Sequence, residues 1–76
     1  QDIFLDDADR HVRLSLIERI VVEFAWILIA FVLMKNHEHL FVLTPLGNLG
    51  EGMRKLNGEY SRRFNRRHHR RGYLYK

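Results

Sequence analysis

Two histidines separated by a single residue, His37 and His39, are the side chains whose spacing most directly suggests chemistry in this sequence. On an extended strand they project from one face, with Cα atoms about 7 Å apart. Two neutral imidazoles so placed can share one divalent ion and leave coordination positions open for a substrate phosphate. They are not the helical zinc-protease motif, whose histidines lie four apart. Taken alone, the spacing also fits two histidines that merely decorate a strand end beside a turn.

A second chemical feature is the run Arg62, Arg63, Arg66, Arg67, Arg70 and Arg71, six guanidiniums within ten residues. A continuous helix displays them as a double stripe, with His68 and His69 adding charge at lower pH. Like charges at that interval repel one another without an anion. Guanidinium binds phosphate bidentately, and the neighbouring Tyr73 and Tyr75 can stack on unpaired bases. Contacts of this kind supply affinity rather than sequence choice. A purely solvated charged face is the plain alternative.

Charge asymmetry favours the polyanion reading. The net charge is +4, but residues 1 to 24 carry six acids and three bases, whereas residues 47 to 76 carry two acids and nine bases. Nucleic acid suits the basic half better than a membrane surface, because no strongly apolar amphipathic anchor accompanies the charge. The apolar stretch Ile20 to Met34 has 15 residues and includes Glu23, short of the roughly 20 residues a spanning helix needs. Gln1 to Arg10 is acidic and has no signal-peptide pattern. The absence of cysteine excludes a disulfide framework and a thiolate zinc site, and points to a reducing cytoplasmic compartment.

At 76 residues the chain suits one small domain with a marginal core. Asp6, Asp7 and Asp9 favour a helix start, and Val12, Leu16, Ile17, Ile20, Val21 and Phe24 then recur at helical spacing, which predicts a helix over about 7–24. Residues 26–34 are continuously apolar and rich in β-branched and aromatic types, as in a strand buried on both faces. Lys35 and Asn36 form a short turn, Asn tolerating left-handed backbone angles, and 37–44 alternates as a second, antiparallel strand. Asn48 with Glu51 resembles a capping box, and Leu49, Met53, Leu56, Tyr60 and Phe64 stripe a second helix over about 48–67, ahead of a basic stretch at 62–71. Tyr73 to Tyr75 can begin a further strand. With Lys35 and Asn36 as the loop, Trp26, Leu28, Ala30 and Val32 share the face of His37 and His39, while Ile27, Ile29, Phe31, Leu33, Leu40 and Val42 seat both helices. The first face is bare, which implies a flanking segment, a second subunit or a ligand on it.

Three blocks resemble the HUH-class tyrosine transposases of the insertion-sequence and REP-associated type. AFVLMKNHEHLFVLTP, at Ala30 to Pro45, is similar to their signature region, which usually reads AYVLMxNHxHLLxxTP. IFLDDADR, at Ile3 to Arg10, resembles the segment ahead of their first helix, and LNGEYSRRFNRRHHRRGYL, at Leu56 to Leu74, their arginine-rich block. The resemblance spans nearly the whole chain. It implies an α+β, ferredoxin-like fragment with an antiparallel sheet and two helices on one face, forming one partial domain over 1–76 with both ends truncated. It also implies that His37 and His39 are metal ligands for Mg or Mn, and that single-stranded or hairpin DNA is cleaved and rejoined through a phosphotyrosine intermediate in a bacterial cytoplasm. The nucleophilic tyrosine and the third ligand then lie beyond Lys76, so that this chain alone is inactive. Tyr60 falls on the apolar stripe of the second helix, which gives it a packing role. Arg62, Arg63, Arg66, Arg67, Arg70, Arg71 and Tyr73 are the expected DNA contacts. Glu38 departs from the motif, whose middle residue is hydrophobic; either it faces the helices, or it joins the histidines as a third ligand. The competing functions are a non-catalytic basic nucleic-acid-binding module and an assembly protein that dimerises through the bare sheet face.

Overall fold

The computed structural model describes residues 3–75, so Gln1, Asp2 and Lys76 lie outside the described residues. The chain is an α+β arrangement in the order α1 (Asp7–Glu23), β1 (Ile27–Leu33), β2 (Glu38–Leu43) and α2 (Leu49–His68). The two strands form an antiparallel sheet. Among the described residues no helix is long and apolar enough to cross a membrane, and Tyr73 to Tyr75 run as an irregular tail rather than a strand.

Helix α1 starts where its acids place it. Asp6 is the N-cap and accepts a hydrogen bond from the Asp9 amide at 2.9 Å, and Asp7 and Asp9 lie in the first turn, where the helix dipole favours negative charge. That amide hydrogen bond, with Arg67 alongside, holds the Asp6 carboxyl below the ordinary carboxylate value. Helix α2 begins differently from the capping box. The Asn48 side chain makes no cap hydrogen bond; it accepts instead from the Trp26 indole at 2.9 Å and donates to the Phe24 carbonyl at 3.0 Å. A buried indole N–H needs an acceptor, and Asn48 supplies it, so the residue ties α2 to the chain between α1 and β1. Trp26 lies so close to Gly52 that a Cβ there would run into the indole ring, which explains a glycine inside a helix despite its cost.

The hairpin register corrects the assignment of faces. Val32 pairs with His39 and Ala30 with Phe41, but an irregularity between Leu28 and Ala30 then puts Leu28 opposite Val42 and Ile27 opposite Leu43. An extra residue in one strand shifts everything beyond it to the other face. Trp26 is therefore buried and Leu28 packs against the core, while Ile27 and Ile29 are exposed. The bare face consists of Ile27, Ile29, Ala30, Val32, Phe41 and Leu43, all exposed. The turn also differs, since neither Lys35 nor Asn36 has a positive φ. Met34 N–H still closes the loop onto the His37 carbonyl at 2.8 Å, and the Ile3 and Phe4 amides hold the Lys35 carbonyl from outside at 3.1 and 3.2 Å.

The core lies between the helices and the inner sheet face: Phe4, Leu16, Ile17, Ile20, Trp26, Leu56, Tyr60 and Phe64. Beside it, an apolar cleft of about 680 Å³ opens between β2 and α2, walled by Leu40, Val42, Leu49 and Met53.

Candidate functional site

The hairpin places His37 just ahead of β2 and His39 within it, and the two rings meet edge to face with centroids 5.3 Å apart. Both are exposed. The His37 Nδ1 lies 2.8 Å from Asn36 Oδ1. An Nδ1–H donating to that oxygen leaves the ring lone pair on Nε2, the arrangement that orients a metal-ligating histidine. Two exposed imidazoles on one strand face fit a divalent ion as donors of nitrogen. Among the described residues, no carboxylate or further histidine completes a three-residue metal group with them.

Glu38 does not join the pair. Its carboxylate turns to the interior, where Arg13 Nε donates to Oε1 at 2.8 Å and Arg13 Nη2 donates to Oε2. The same Nη2 donates to Asn57 Oδ1 at 2.8 Å. Arg13 is fully buried, and its guanidinium carbon lies 5.3 Å from the Tyr60 ring centre and 5.0 Å from that of Tyr75. Sequence reasoning missed Arg13. Its signal was position, because Arg13 precedes Leu16, Ile17 and Ile20 by three, four and seven residues, on the core stripe of α1.

The three tyrosines differ in what their hydroxyls can do. Tyr60 is buried and donates its hydroxyl to the Ile3 carbonyl. Burial, helped by the negative charge of Asp9, pushes its pKa far above the ordinary value. Burial does the same to Tyr75, whose hydroxyl is enclosed without a hydrogen-bond partner among the described residues. Tyr73 is exposed and meets the Tyr75 ring at 6.0 Å. A tyrosine with a raised folded-state pKa stabilises the fold below its unfolded value, near 10, and loses that contribution as pH rises above it. The unfolding free energy from urea titration should therefore fall between pH 9 and pH 11, by up to about 1.4 kcal/mol per tyrosine for each pH unit above 10. Tyr75→Phe removes an unsatisfied hydroxyl and should flatten this fall at little cost at pH 7; an unchanged alkaline slope would contradict the assignment.

The arginine run is not one stripe. Helix α2 ends at His68, and His69 adopts a left-handed φ of 55°, so Arg70 and Arg71 lie beyond the helix. The chain then folds back, with Asn65 donating to the Gly72 carbonyl at 2.6 Å and the Leu74 amide donating to Ser61 Oγ at 3.2 Å. Arg62, Arg63 and Arg66 are exposed and share a groove with Arg19 of α1 and Glu59. Arg19 was not singled out in the sequence, since only packing of α1 on α2 brings it there. Arg67 is otherwise engaged, donating to Asp6 at 2.8 and 3.1 Å and to Asp9 at 3.2 Å. His68 Nε2 lies 2.9 Å from both Asp9 oxygens, so these residues clamp the start of α1 to the end of α2. Asp6, Asp9 and His68 lie close enough together to suggest a metal group, though Arg67 donates to both carboxylates there. Arg70 lies over the Phe64 ring at 5.7 Å.

No curated protein and no solved structure gives a significant match. The family described as transposase IS200-like matches residues 1–76. With its histidine pair on a hairpin and its basic second helix, the chain belongs to the IS200-like transposase family.

Proposed function

We propose that this chain is the histidine-bearing part of a transposase that cleaves and rejoins single-stranded or hairpin DNA. The observation that carries the reading is the convergence of His37 and His39, rings 5.3 Å apart and exposed, in a member of this family. A divalent ion held there, Mg or Mn, would polarise a phosphoryl oxygen and stabilise charge developing at the phosphate. His37 and His39 supply the nitrogens, and Asn36 orients His37. Arg62, Arg63 and Arg66, joined by Arg19, supply phosphate contacts, with Arg70 and Arg71 beyond the helix end and Tyr73 exposed for base stacking. Arg67 contributes charge to the same region while it holds Asp6 and Asp9. Formation of a phosphotyrosine link needs an accessible, correctly held hydroxyl, and the buried Tyr60 and the half-buried Tyr75, whose hydroxyl is enclosed, are unsuited to that role.

Binding should follow electrostatics. For single strands, log affinity falls against log salt with a slope of roughly 0.7 per phosphate neutralised, so three arginine contacts give about 2. Replacing Arg62, Arg63 and Arg66 together by alanine should weaken binding of single-stranded DNA and lower the slope by about that amount. These three make no ion pair with the acids of α1 that hold Arg67, so the fold should survive. Unchanged affinity and slope would reduce the cluster to a solvated face.

A further inference from the structure

We infer that Arg13 is a positioning residue for the histidine pair, acting through Glu38; this rests on the reading of His37 and His39 as ligands. Glu38 stands between them, at a place where an apolar residue would face the core. Strand alternation ties its orientation to theirs: while Glu38 points inward, His37 and His39 point outward together, and a rotation or slip of the strand end that carried Glu38 outward would lose the pair. A lone carboxylate prefers solvent. Here that preference is overcome by Arg13, whose side chain is fully buried and which takes both Glu38 oxygens in a two-pronged contact. Arg13 cannot follow Glu38 outward, because Asn57 of α2 binds the same guanidinium and the Tyr60 and Tyr75 rings lie close to it. One side chain of α1 thereby locks the strand end that carries the histidines to α2 and to the C-terminal tail. His37 is further restrained by Asn36 of the same exposed turn, and the Ile3 and Phe4 amides hold that turn at Lys35, so Arg13 provides the side-chain anchor at the strand residue between the histidines.

Ring-to-ring nuclear Overhauser contacts between His37 and His39, and the cross-strand contact between Val32 and His39, report the geometry without metal. Paramagnetic titration with Mn²⁺ reports its consequence. Arg13→Met should abolish these contacts and weaken Mn²⁺ binding about 10-fold or more, the usual effect of removing a partner that orients metal ligands. Adding Glu38→Leu to Arg13→Met restores an apolar inward residue and should return both readouts to within about twofold of the native chain, a rescue that general loosening of the fold does not predict. If Arg13→Met alone fails to fold, Glu38→Gln serves in its place, keeping the shape and weakening the pair; loss of the ring contacts is again expected. Native ring contacts in a folded Arg13→Met or Glu38→Gln chain would overturn the inference, as would a folded double variant that does not regain them. Native ring contacts without any Mn²⁺ binding by the native chain would sink the metal reading instead, leaving the positioning role to be judged on the contacts alone.

Discussion

End-labelled hairpin DNA incubated with this chain and Mn²⁺ should yield no covalent protein–DNA adduct on a denaturing gel. Holding a nucleophile in near-attack geometry is worth about 7 to 11 kcal/mol of barrier, and on the proposed reading none of the three tyrosines is so held. Tyr60 and Tyr75 are enclosed and their pKa values are raised by burial. Tyr73 is exposed, but α2 holds its tail so that it lines a groove with Gly58, Arg62 and Asn65 rather than the cleft that His37 lines. Joining a segment that carries a tyrosine on its own helix should create the activity, and His37→Ala or His39→Ala should then remove it. An adduct formed by the native chain and lost in Tyr60→Phe or Tyr73→Phe would overturn this account and name the nucleophile.

Arg13→Met should destabilise the fold by up to about 3–5 kcal/mol, because it leaves the largely enclosed Glu38 carboxylate without its cation. For a domain this small that is a large part of the total stability, and much of the population should unfold. The paired change Arg13→Met with Glu38→Leu should be close to neutral, or stabilising by about 1–4 kcal/mol, since apolar residues of similar volume avoid the desolvation of two charges. Urea midpoints of the three chains decide it. Equal midpoints for the native chain and the single variant would mean that Glu38 escapes to solvent without penalty.

The elements were legible because their signals were local. Acids before a helical stripe gave α1, a β-branched apolar run gave β1, and Leu56, Tyr60 and Phe64 at helical spacing gave the buried side of α2. The histidine pair was legible for the same reason, since alternation on a strand fixes a shared face. The bulge beside Ile29 was not, because it depends on where Trp26 must go to pack on Gly52 and reach Asn48. Asn48 and Glu51 have the spacing of a capping box, but the indole N–H competed for the asparagine side chain. The inward turn of Glu38 was readable as one of two options, and only its unforeseen partner, twenty-five residues earlier on α1, decides between them. The arginine run failed as a continuous stripe for a similar reason: acids at the start of α1 engage Arg67, and the left-handed His69 ends the helix before Arg70.

Paramagnetic broadening of the imidazole signals by Mn²⁺ tests the central claim most directly. The His37 and His39 ring protons should broaden first, and at lower Mn²⁺ than those of His11, His68 and His69. Binding should be weak, since two imidazoles form an incomplete coordination set. Replacing both His37 and His39 by alanine should remove the selective effect. Broadening that is uniform across the five histidines, or the same in the native and doubly substituted chains, would contradict the assignment of this pair as the metal site of the transposase.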